Sequence, residues 1–122
     1  MAKRVLIVED NELARDAWRL LLQATGYHVS VAGSVGEALT VARAERPDLA
    51  LLDLTLPDGE SLSIIPELLV EENPPVFVAL TGHDTLAVAE RCRGAGCAEV
   101  LVKPVSSREL LAVVEPLLAK RG

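Results

Sequence analysis

Five short apolar runs rich in β-branched residues alternate with five segments of helix-like apolar spacing, and that strict alternation leaves the chain very few folds to choose from. The runs are Arg4–Val8, His28–Ala32, Leu49–Leu52, Val76–Leu80 and Glu99–Val102. The helical segments are Glu12–Thr25, Ser34–Glu45, Ser63–Val70, Asp84–Arg93 and Ser106–Ala119. The first, third and fourth runs ("VLIV", "LALL", "VFVAL") are nearly continuous in apolar residues. A strand covered by helices on both faces needs that pattern, and parallel sheets produce it. The expectation is an α/β fold: a doubly wound, five-stranded parallel sheet of order 2-1-3-4-5, flavodoxin-like, with right-handed crossovers and a ligand site beyond the carboxyl ends of strands 1 and 3. At 122 residues, one domain spanning 1–122 accounts for the chain.

The punctuation agrees. Gly26 follows the first helix as a C-terminal residue should, and Ser34 with Glu37 and Ser106 with Glu109 have capping-box spacing. Pro66 suits a first helical turn, where amides lack partners anyway. "NPP" at Asn73–Pro75 marks a turn. Pro116 falls inside the last helical pattern, so a kink or an early end is expected there.

Charge and composition exclude several classes. A net charge of -6 with dispersed Lys and Arg is wrong for a nucleic-acid surface, and one Phe, one Tyr and one Trp give no platform for stacking bases. No apolar run approaches the roughly 18 residues of a membrane span. The start "MAKRVLIVED" reaches acids too soon for a secretory signal, which points to a cytoplasmic protein without membrane contact. Cys92 and Cys97 lack metal-type partners and read as small core residues in a reducing compartment.

Chemistry collects at the strand ends. Glu9 and Asp10 follow strand 1, Asp53 follows strand 3, Thr81 follows strand 4 and Lys103 follows strand 5, so all five reach one edge of the sheet. Three carboxylates at a switch point repel one another unless a cation offsets them, and Mg²⁺, a hard ion that takes oxygen ligands and keeps waters, fits. Taken singly, each of these residues is an ordinary loop or turn residue. Their joint placement is what points to a site.

These motifs resemble the receiver domain of two-component response regulators, chemotaxis-receiver-like, along essentially the whole chain: "VLIVEDN", "LLDLTLPDG", "ALTG" and "AGCAEVLVKP". The resemblance implies transfer of a phosphoryl group from a phosphohistidine, on a sensor histidine kinase or a phosphotransfer protein, to an aspartate. Asp53 matches the phosphoacceptor. Asp10 matches the direct Mg²⁺ ligand, Glu9 acts through a water, and the Thr55 carbonyl supplies a further oxygen. Thr81 matches the hydroxyl residue on the phosphoryl group, and Lys103 matches the lysine that pairs with it, with a cis bond to Pro104. Such a domain is a signalling phosphoacceptor rather than an enzyme with turnover, and it commonly pairs through helix 4, strand 5 and helix 5 with an output domain or a second copy. The apolar surplus of the last helix, Leu110, Leu111, Val113, Val114, Leu117 and Leu118, suits such a contact.

The pattern also breaks. Val100 stands where receivers often carry a switching Tyr or Phe, Val105 replaces a frequent Phe, and Ser61 replaces a frequent Gly. An aliphatic side chain cannot swing a ring between two positions, so the signal must leave by another route. His83, two residues after Thr81, reads either as a neighbour of the water that hydrolyses phosphoaspartate or as an exposed loop residue. Two rivals stand beside the main reading: a pseudoreceiver that keeps the fold without taking phosphate, and a small Mg²⁺-dependent phosphohydrolase. The intact acids, Thr81 and Lys103 oppose the first; Thr55 stands where the second needs an acid.

Overall fold

The computed structural model describes residues 2–121, the side chain of Thr55 excepted. Among the described residues, strands β1 (Arg4–Val8), β2 (His28–Ala32), β3 (Leu49–Asp53), β4 (Thr55–Leu56), β5 (Gly59–Glu60), β6 (Val76–Thr81) and β7 (Cys97–Val102) interleave with helices α1 (Glu12–Ala24), α2 (Val35–Glu45), α3 (Ile64–Leu69), α4 (Leu86–Ala95) and α5 (Ser107–Lys120). Five strands form one parallel sheet in the order β2-β1-β3-β6-β7, the 2-1-3-4-5 arrangement of the five predicted strands.

Side chains alternate across this sheet and build two separate half-cores. Leu6, Val8, Ala50, Leu52, Phe77 and Ala79 face α2, α3 and α4. Val5, Ile7, Leu49, Leu51, Val78 and Leu80 face α1 and α5, where Leu22, Leu110, Val114 and Leu118 close the layer. The surplus apolar residues of α5 are largely absorbed here, since Leu111, Val113 and Leu117 pack half-buried on the same layer. The large apolar side chains left exposed lie on other helices: Leu13 and Leu20 on α1, Leu69 and Val70 at the end of α3, and Leu86 at the start of α4.

Helix ends follow local chemistry. Side-chain oxygens of Asn11, Ser34, Thr85 and Ser106 accept the amides of Ala14, Glu37, Val88 and Glu109. The Ser106–Glu109 capping box is complete, whereas Glu37 reaches one residue further back and accepts the Gly33 N–H at 2.6 Å. Thr85 as cap makes α4 start at Leu86, two residues later than spacing predicts. Gly96 ends α4 with φ 117°, and a Cβ there would also press on Ile65 at 3.3 Å, so glycine is required twice over.

Three expectations are corrected. α5 does not stop at Pro116 but runs to Lys120; Pro116 and Ala112, whose carbonyl loses its donor, both lie on the solvated side, where water substitutes. The third helix opens with a 3₁₀ turn at Ser61–Ser63 before α3 proper. A short antiparallel hairpin, β4 with β5, follows β3 in a stretch where no element is predicted.

Candidate functional site

The ladder itself aims the site residues. β3 and β6 each extend one residue beyond the predicted run, so Asp53 and Thr81 are held within the sheet, Asp53 opposite Leu80 and Thr81 opposite Val102. Backbone bonds continue past the strand ends: Glu9 N–H donates to the Ala32 carbonyl at 2.9 Å, Leu54 N–H to Leu80 at 3.1 Å, and Lys103 N–H to Thr81 at 2.7 Å. The Lys103–Pro104 peptide is cis. All four strand ends therefore open into one cavity of about 800 Å³, lined among others by Glu9, Asp10, Asp53, Thr81, His83 and Lys103.

Charge is concentrated there. Glu9, Asp53 and Thr81 are buried, while Asp10 is exposed. One carboxylate oxygen from each of Glu9, Asp10 and Asp53 lies within 4.8 Å of the others. Lys103 Nζ sits 2.5 Å from Asp53 Oδ2 and 3.7 Å from Glu9 Oε1. The second Glu9 oxygen, Oε2, is buried without a hydrogen-bond partner. An orphaned carboxylate oxygen inside an all-oxygen donor set is what a hard divalent cation and its waters satisfy.

Burial first, then the hydrogen bond and charge of Asp53, and the charge of Asp10, push the Glu9 carboxyl from 4.5 up to about 7, against the lowering effect of Lys103. The folded chain thus binds more protons than the unfolded chain between these two values, so stability present at low pH is lost progressively as pH rises from about 4.5 through about 7. In chelator, thermal melts from pH 5 to 8 are expected to show wild-type stability falling behind that of Glu9→Gln, with the gap widening by several degrees toward pH 8. A gap that stays constant with pH refutes the assignment.

The hairpin after Asp53 is tied on both sides. Asp58, in its turn, accepts the N–H groups of Val35 and Gly36 at 2.8 and 3.1 Å, which holds its carboxyl below the ordinary range and pins the hairpin to the start of α2. Glu60 forms an ion pair with Arg91 of α4. Sequence reasoning missed both ties, because residues separated by 22 or more positions leave no local signal. Of the singled-out residues, His83 is exposed at the cavity wall, its N–H donating to Thr81 Oγ1 at 3.0 Å. His28 lies exposed at the far end of β2, beside Glu45. Cys92 and Cys97 are buried free thiols, pushed up by burial, Cys97 to about 12. Val100 packs half-buried on the α2/α3/α4 half-core and Val105 on the other.

A family profile described as the response regulator receiver domain matches residues 5–115. The chain belongs to that family. It is 36% identical over 121 residues to the polar-differentiation response regulator DivK of Brucella ovis, covering 97% of this chain and 98% of the relative. Its fold matches a CheY-like receiver domain protein from Methanospirillum hungatei with a TM-score of 0.91 at 30% identity, covering 99% and 97% of the two chains. The non-phosphorylated HemR receiver domain of Leptospira biflexa matches with a TM-score of 0.87 at 30% identity, covering 96% and 94%. This receiver is therefore a module of two-component signalling, a family whose general role is to accept phosphoryl groups. Among its described residues no helix is long and apolar enough to cross a membrane.

Proposed function

We propose that residues 1–122 form one cytoplasmic receiver in which Asp53 takes a phosphoryl group from a phosphohistidine donor and the protein thereby changes its partner-binding surface. The observation that carries this is the joint geometry of Glu9, Asp10 and Asp53 with Lys103 at 2.5 Å from the proposed nucleophile. Asp53 Oδ attacks phosphorus in line; an O–P bond forms, the N–P bond of the donor breaks, and the imidazole departs with the electron pair. Lys103, close to Asp53 and Glu9, transfers its contact to a phosphoryl oxygen as charge develops. Thr81 Oγ1 already accepts the His83 N–H, so its own proton is directed to another phosphoryl oxygen. Asp10 and Asp53, the Thr55 carbonyl, and Glu9 through a water would hold Mg²⁺. When bound, that ion neutralises charge on the phosphoryl oxygens.

The donor is a sensor histidine kinase or a phosphotransfer protein. Leu13, 84% exposed between the cavity residues Asn11 and Ala14, offers it an apolar contact beside the site. The outgoing surface is α4, β7 and α5, toward an output domain or a second copy. Incubation with acetyl phosphate and Mg²⁺ is expected to add one phosphoryl mass, and chelator is expected to prevent it. Absence of the gain, with a cognate kinase also failing to label, would overturn the reading in favour of a pseudoreceiver.

A further inference from the structure

The Glu60–Arg91 ion pair lies on the wall of the phosphoacceptor cavity and has no part in the chemistry above. Glu60 ends the hairpin that follows Asp53, and Arg91 projects from α4, so the pair joins two elements across the cavity that also holds Glu9, Asp53 and Lys103. Both side chains are about half exposed, at 49% and 53%. Solvent screens such a pair, so it contributes little stability and is easily exchanged for another partner. The surrounding charge makes that exchange consequential. Among the described residues lining the cavity, the acids are Glu9, Asp10, Asp53 and Glu60, and the Lys and Arg cations are Lys103 and Arg91. Lys103 is committed to Asp53 at 2.5 Å. Arg91 is the cation whose partner sits at the solvent side, and its planar guanidinium is suited to two phosphoryl oxygens at once.

We propose that Arg91 steers small anionic phosphodonors, acyl phosphates and phosphoramidates, into the cavity, and that Glu60 limits this by competing for the guanidinium. The proposal rests on Asp53 being the phosphoacceptor. A small donor brings no protein surface of its own and depends on cavity charge for its approach, whereas a protein donor docks through a wider face. With acetyl phosphate the balance is simple: the Asp53 oxygen bonds to phosphorus, the acyl O–P bond breaks, and acetate leaves with the electron pair. Arg91 is unchanged at the end, a positioning residue for the incoming dianion.

Opposite signs at the two ends of one ion pair are the diagnostic. Breaking a merely structural clamp from either end shifts the rate in the same direction, whereas a steering cation held back by a competing acid gives effects of opposite sense. Initial rates of mass gain with acetyl phosphate and Mg²⁺ are to be compared for wild type, Glu60→Gln, Arg91→Gln, Arg91→Lys and the Glu60→Gln/Arg91→Gln double variant. Arg91→Gln is expected to slow labelling roughly threefold or more, Arg91→Lys to recover part of the loss, and Glu60→Gln to accelerate labelling by a similar factor. The gain from Glu60→Gln is expected to vanish in the Arg91→Gln background, and all differences to shrink in high salt. Equal rates, shifts of the same sign, or a Glu60→Gln gain that persists without Arg91 would overturn the proposal while leaving a labelled wild type intact. A wild type that acetyl phosphate does not label would overturn this proposal, and one that a cognate kinase also fails to label would overturn the phosphoacceptor reading with it.

Discussion

Asp53→Asn is expected to abolish phosphoryl uptake and, at the same time, to raise the stability of the metal-free protein. The first effect follows from the nucleophile: an amide oxygen carries no full charge and cannot form a stable acyl phosphate with the donor. The second follows from the neighbourhood. Asp53 is buried, and its carboxylate shares a 4.8 Å cluster with Glu9 and Asp10. Its hydrogen bond and charge are among the causes that push Glu9 upward, so a neutral Asn removes a repulsion while keeping the shape. Lys103 keeps Glu9 as a partner at 3.7 Å. Intact-mass labelling, run beside chelated thermal melts, checks both halves. A variant that still gains mass would place the phosphoacceptor elsewhere, and one that melts well below the wild type would mean that the acid cluster is not under electrostatic strain. A functional site held at some cost to stability is a common outcome, and here the cost is located in three named carboxylates.

The second large effect is in the core. Phe77→Ala is expected to destabilise the protein by about 4 kcal/mol, the middle of the range for aromatic truncations. Phe77 is the single phenylalanine of the chain and is 2% exposed in the α2/α3/α4 half-core. Its cross-strand neighbours are Ala50 and Cys97, and Ala79 follows two residues on along the same face. Small side chains cannot lean in to fill the space, so the cavity stays open. In denaturant the midpoint should fall sharply at unchanged slope, with a drop of roughly 10–20 °C in melting temperature. A loss near 1 kcal/mol would show that α4 or α2 collapses into the gap.

The sheet and the central site were legible because both rest on short-range pattern. "VLIVED" and "LALLD" show buried strands ending in acids, and parallel register then brings Glu9, Asp10 and Asp53 together without further information. Lys103 was placed by the same logic from β7. The hairpin Thr55–Glu60 was not legible, since two-residue strands have no periodicity to read. Asp58 is one residue of the motif "LLDLTLPDG", and nothing local announces that its carboxylate crosses to Val35 and Gly36. Pro116 misled for a different reason. The rule about proline in helices assumes a buried or needed amide, and whether its missing hydrogen bond faces water depends on a rotation of α5 that only packing decides.

The partition of the core into two half-cores sets how separable the properties of this protein are. Side chains on the α1/α5 side, such as Leu22 and Leu118, never meet those under α4, because a continuous sheet lies between them. Changes made on the two sides reach one another only through five strands of backbone, and substitutions without shared partners tend to add rather than interact. Packing changes made behind the sheet are therefore expected to leave the packing beneath α4 nearly untouched. Residues behind the sheet can be repacked for robustness while α4, with Val88, Arg91 and Cys92, is left as nature set it.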